Sequence, residues 1–275
     1  IALLGFKVAV NGSLAKYNLV DQTEDAFMDA TGIDATESTG EVRNAANYYS
    51  GSIANNATGG TITDVGTDKV HTFLNADNGS ATNNFVVPVG GIASVDFLVI
   101  AGGGGGGVGG NGRGGGGGAG GYRASFNSEA SGGGGSSETA LTMTAATYAV
   151  IAGSGGALTS SVSIKGGSGA DSVFSTVTST GGGGGASMSN TGGLAGGSGG
   201  GAGLHSDAVG AGTTNQGYAG GQGSSSWEAG GGGGSGQVGQ IPTAGPTAGA
   251  GGYGVSSTIT GVSVQRGGGG GGSAD

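Results

Sequence analysis

The chain has no cysteine, three prolines and only eight lysines and arginines among its 275 residues. Without thiols there are no disulfides and no thiolate metal sites, so stability does not depend on the redox state of a compartment. Scarcity of basic side chains leaves a formal net charge of −9, a poor surface for nucleic acid or an anionic membrane. With aromatics at 5% and charged residues at 9%, a core built from large side chains would be small. The opening residues 1–10 are too short to span a bilayer and lack a basic flank, so they read as a strand.

Catalytic groups are equally sparse. His71 and His205 are the two histidines, far apart in sequence and without a Ser, Cys or carboxylate constellation that would make a triad or a metal centre. His71 lies in an alternating strand and reads as structural. Gly102-x-Gly104-x-x-Gly107 follows a strand and formally matches a dinucleotide fingerprint, but inside a glycine run that match is automatic, and no amphipathic helix follows it. Seven acidic residues between Asp21 and Glu41 fit no calcium-loop spacing and read as a solvated face. The expectation is a protein that is not an enzyme, with no catalytic residues, no cofactor and no metal.

What the chain has is glycine: 75 in all, 64 of them from Gly102 onward. Long runs occur at residues 102–107, 114–118, 181–185, 230–234 and 267–272. Gly-rich chain is ordinarily a flexible linker. Two features oppose that reading. Strand-like apolar pieces bracket the runs, at residues 95–100, 148–151 and 173–177, with further pieces at 141–144, 161–164 and 255–264. The rare side chains inside the runs also fall three apart: Val108 with Asn111, Arg113 with Ala119 and Tyr122, Ala195 with Ser198 and Leu204, Ser235 with Val238.

Three is the period of polyproline II, which rises about 3.1 Å per residue and makes no internal hydrogen bonds. Its peptide groups must find partners outside the helix. Ordering costs about 1–2 kcal/mol per residue, against about 0.5–1.5 kcal/mol for each hydrogen bond gained. A lone polyglycine helix is therefore disordered, whereas a sheaf bonded on several sides need not be. The predicted fold class is mainly β with irregular glycine-rich structure: short antiparallel strands framing a bundle of polyglycine II helices, with a small N-terminal hairpin and a short helix. Asn11-Gly12 between residues 4–10 and 14–19 carries the hairpin signal. Asp21, Glu24 and Gly32 mark the ends of the helix, and a second brief helix is expected around residues 41–49. The domain reading is residues 1–60 as an attachment or assembly segment, 61–101 as strands leading into the glycine-rich part, and 102–275 as the polyglycine II domain.

The segment Lys69-Val70-His71-Thr72-Phe73, then residues 95–101, the first glycine run and Gly120-Gly121-Tyr122-Arg123 resemble the glycine-rich domain of bacteriophage tail-fibre and tail-tip proteins. Thr178-Ser179-Thr180-Gly181 and Arg266-Gly267-Gly268 fit the same pattern, and the resemblance covers residues 61–275. The domain is also similar to the adhesins that cap long tail fibres of T-even-like phages. That likeness implies a sandwich of polyglycine II helices with variable loops at one end binding a host surface receptor.

If the runs are lattice, the bulky residues between them are loops, where rigid scaffolds commonly carry function. Arg123, Leu204, His205, Tyr218, Trp227, Glu228 and Tyr253 are the candidate receptor-binding residues, because aromatic and Arg side chains suit a protein or sugar receptor. Tyr122 stays in the three-residue phase and reads instead as an apolar cap on the bundle. The leading expectation is a non-enzymatic virion protein, a tail-fibre or tail-tip adhesin. Its partners would be a host-surface protein or glycan and, through residues 1–60, other virion proteins, with self-association as a further partner class. The alternatives are a structural filament or capsid-decoration protein and, behind these, an ice-binding protein.

Overall fold

The computed structural model describes residues 3–9, 57–78, 83–89, 93–109, 114–189, 192–224, 227–243 and 247–274. It is mainly β, with short antiparallel strands and long stretches of irregular glycine-rich chain. The strands are β1 (Leu3–Ala9), β2 (Thr61–Val65), β3 (Asp68–Leu74), β4 (Asn84–Val87), β5 (Ala93–Ile100) and β6 (Tyr122–Ala124), followed by β7 (Leu141–Met143), β8 (Ala146–Ile151), β9 (Ser172–Phe174), β10 (Val177–Ser179), β11 (Val255–Ser257) and β12 (Val264–Arg266). One sheet runs in the order β2-β3-β1-β5-β6, with β7 paired to the other half of the β5 edge. A second runs β10-β9-β8-β4, and β11 with β12 forms a two-stranded ribbon.

The first two sheets face each other over Phe73, Phe85, Val87, Val95, Phe97, Val99, Met143, Val150 and Phe174. Alternate β5 residues, Leu98 and Ile100, point the other way and bury Tyr122, Ala124 and Ile259. A strand covered on both faces needs a near-continuous apolar sequence, which is why residues 95–100 are apolar but for Asp96. Buried Ser172 and Ser179 tie the sheets together, each hydroxyl donating to a β5 carbonyl, Ile100 O and Val99 O, at 2.8 Å.

The glycine runs are bonded in threefold rotation. Within residues 114–121, Gly115, Gly118 and Gly121 donate to Ala186, Gly183 and Thr180 at 2.8 Å each. Gly116 and Ala119 donate to a different run, at Gly230 and Gly233. Three further runs donate back: Gly104 and Gly107 to Gly118 O and Gly115 O, Gly201 and Ser198 to Gly116 O and Ala119 O, and Gly270 to Gly117 O. Every third residue meets the same neighbour, the bonding of polyglycine II, so five runs surround this one among the described residues.

None of these glycines has φ in the left-handed region. Glycine is required here for room. A Cβ at Gly116 would lie 2.1 Å from Gly270 O, and one at Gly115 2.1 Å from Gly201 O. The buried side chains within the runs are small, as at Ala119, Ala186, Ser198, Ala202 and Ala229.

β1 lies between β3 and β5, in register Leu4↔Phe73 and Leu4↔Val99, so residues 3–9 share a sheet with strands of residues 61–101. Strand expectations inside the glycine-rich part need revision. The piece at 173–177 is two strands, because Ser175 turns in left-handed backbone (φ 53°) between β9 and β10. Residues 161–164 form a turn closed by Ile164 N to Ser161 O at 3.2 Å. The partner strand of the N-terminal hairpin, residues 14–19, and both helix expectations lie outside the described residues.

Candidate functional site

Run directions divide the bundle into two ends. All three sheets sit beyond residues 101 and 121, where β5, β6 and β11 meet the lattice. At the other end the described parts of several loops gather, at residues 158–165, 187–189, 204–209, 224, 227–228 and 241–248. They are cross-linked there. Met188 N donates to Val108 O, Ser189 N to Val162 O, Gly223 N to Ser206 O and His205 N to Ser224 O.

Bulky apolar side chains protrude at this loop end. Leu158 is 84% exposed, Ile164 60%, Ile241 55% and Trp227 50%. The His205 imidazole packs edge-on against the Trp227 indole, with ring centroids 5.7 Å apart. Both residues occupy left-handed backbone, His205 at φ 52° and Trp227 at φ 84°, a conformation costing about 1–3 kcal/mol for a residue with a side chain. Glu228 is buried, accepting from Ser224 Oγ, while its N–H donates to the same hydroxyl at 3.2 Å. These bonds brace the backbone next to Trp227. Leu204 is half-buried beside His205.

The remaining candidates lie at the sheet end. Arg123 on β6 makes a two-pronged ion pair with Glu138, Nε to Oε1 at 2.8 Å and Nη2 to Oε2 at 2.5 Å. This pair lines a cleft of about 570 Å³ with Gly134, Ser136, Ser137, Thr214, Asn215 and Gln216. Tyr218 places its hydroxyl close to Gly134. Tyr253 is exposed on the chain entering β11. The seven candidates thus divide between two ends: Leu204, His205, Trp227 and Glu228 on one, Arg123, Tyr218 and Tyr253 on the other. Sequence reasoning missed Glu138, Asn215 and Gln216 of the cleft and Leu158, Ile164 and Ile241 of the loop end. The signal for the last three was present, because bulky aliphatics within a small-residue chain must pack or protrude.

Tyr122 is fully buried and caps the lattice against Leu98 and Ile259. Burial, helped by the nearby Glu129 carboxylate, pushes its phenol up to about 12. His71 is also fully buried, its Nδ1 2.8 Å from Gly59 O and its ring edge-on to Phe85, and burial lowers its pKa. Among the described residues no cluster of His, Asp and Glu is arranged to hold a metal, and no helix is long and apolar enough to cross a membrane.

Residues 77–275 match the family described as glycine-rich domain. The chain belongs to that family. No curated protein and no solved structure matches it. In this glycine-rich domain the fold reaches beyond the matched span, since β1, β2 and β3 complete the six-stranded sheet from outside it.

Proposed function

We propose that this glycine-rich domain is a non-enzymatic virion protein of a bacteriophage, a tail-fibre or tail-tip adhesin that presents receptor-binding loops at one end of a polyglycine II scaffold. The phage setting rests on the resemblance of residues 61–275. The observation that carries the adhesive reading is the half-exposed Trp227, in left-handed backbone against His205 and next to the buried Glu228 brace. An exposed aromatic in a strained, braced turn suits an interface hot spot. Leu158, Ile164 and Ile241 supply exposed apolar area at the same end, and a protein or glycan receptor with an apolar face fits this surface. On this reading the sheet end faces the particle, and the strands there make the contacts with other virion proteins.

The test is adsorption of the labelled chain to a panel of bacterial strains. Saturable binding to a subset of strains is expected, weakened at least about tenfold by Trp227→Ala, as for a central anchor. Tyr253→Ala, at the opposite end, is expected to bind as the parent does. No adsorption to any strain, or equal binding by all three proteins, would remove the adhesive reading.

A further inference from the structure

Among the described residues the run at 114–121 has five neighbours, where a hexagonal packing of threefold helices provides six. Its N–H groups point in three directions. Those of Gly115, Gly118 and Gly121 and those of Gly116 and Ala119 are taken by the two runs described above. The third set is Gly114, Gly117 and Gly120. Gly114 N donates to Ser273 Oγ at 2.9 Å, a hydroxyl standing where a neighbouring carbonyl would be. Gly117 and Gly120 are buried, and among the described residues no backbone carbonyl accepts from either N–H.

The two runs alongside repeat the pattern. Gly104 and Gly107 donate to the central run, and Gly102 and Gly105 to Ala170 and Gly167, but no carbonyl among the described residues accepts from Gly103 or Gly106. On the other side Gly270 donates to Gly117, and Gly269 and Gly272 to Gly252 and Gly249, while Gly268 and Gly271 find no carbonyl. Between these runs, over Ala119 and Gly120, lies a groove of about 280 Å³ whose walls include Gly103 and Gly268, with Arg266 at its edge.

We infer that this groove is a position of the lattice left unfilled by the described residues and that it docks an extended glycine-rich segment of another polypeptide. Its floor offers the N–H of Gly120, and that of Gly117 follows one threefold repeat further along the run, about 9.3 Å away at polyproline II rise. Uncharged donors in such a row are complemented by a row of carbonyls with the same period, which an extended peptide in threefold screw carries. The neighbouring positions of the lattice are already filled by chain of that kind. Glycine is needed on the face that meets the floor, because peptide groups elsewhere in the bundle approach too closely for a Cβ. The groove lies along the side of the bundle, so the inference stands apart from the receptor-binding reading of the loop end.

The test uses the full chain and a synthetic peptide of three Gly-Gly-Ser repeats with a terminal lysine for solubility, read by amide exchange of Gly117 and Gly120. Saturable slowing of both amides by at least about tenfold is expected. Gly103→Ala and Gly268→Ala each add a Cβ to the groove wall, where it meets nothing closer than 3.6 and 3.7 Å respectively, and Gly103→Val and Gly268→Val narrow the groove further. Both valine variants are expected to lose the peptide effect while Gly118 and Gly183 stay protected as in the parent. No slowing at Gly117 and Gly120, or slowing that survives both valine substitutions, would overturn the proposal. Protection of these two amides without peptide, lost on dilution to monomer, would assign the groove to a second copy of the chain and equally overturn it.

Discussion

His205 and Trp227 meet ring to ring, centroids 5.7 Å apart at 63°, although each sits in backbone that residues with side chains rarely adopt. Such backbone costs about 1–3 kcal/mol per residue, and the surrounding fold holds it. Trp227→Gly should therefore raise stability by about 1 kcal/mol through relief at φ 84°, while removing the exposed indole and with it cell binding. Denaturant unfolding beside adsorption checks both halves. Loss of stability in the glycine variant would show that the indole packs more than it strains.

Two glycines in neighbouring runs should behave oppositely. A Cβ at Gly116 would lie 2.1 Å from Gly270 O and 2.7 Å from Gly232 N, both backbone atoms of bonded runs. Gly116→Ala should cost about 3 kcal/mol, at the upper end for overpacking. At Gly106 the nearest atom is 3.9 Å away, so Gly106→Ala should be neutral or gain up to about 1 kcal/mol from a less flexible unfolded chain. Urea midpoints at unchanged slope measure both.

The threefold bonding was legible in the spacing of Val108, Ala119, Tyr122, Ser198 and Ser235, because a side chain inside a glycine lattice is tolerated only in particular phases. Strand positions at residues 61–65, 84–87 and 95–100 were legible from alternation and β-branching. The pairing of β1 with both β3 and β5 was not, since partners about 60 to 95 residues away leave no local trace. Nor was the division of the candidates between two ends. That depends on which runs are parallel, and a polyglycine run reads the same in both directions.

Tyr122 supplies a pH signature. Its folded-state phenol is raised to about 12 by burial from an ordinary 10.0, so folding favours the neutral form. Stability from this group is complete below pH 10 and is lost as pH rises toward 12, by about 2–3 kcal/mol at about 1.4 per unit. Tyr122→Phe should lack this loss. The difference between parent and variant in unfolding free energy, followed from pH 9 to 12, checks it; parallel curves would contradict it.

Arg123 and Glu138 form a two-pronged pair about a quarter exposed, so solvent screening limits what it contributes. A double-mutant cycle with Arg123→Ala and Glu138→Ala should give a coupling of about 1 kcal/mol, falling at high salt. Coupling near zero would mark the pair as wall of the cleft alone.

The central claim is that chain nearly bare of side chains is held solid by peptide groups bonded in threefold rotation. Residue-resolved amide exchange of the native chain tests it most directly. Gly115, Gly116, Gly118, Ala119, Gly183 and Gly233 are expected to be strongly protected, with Gly103, Gly106, Gly268 and Gly271 exchanging fast between bonded neighbours. Uniformly rapid exchange through the runs, as in a free coil, would contradict the account.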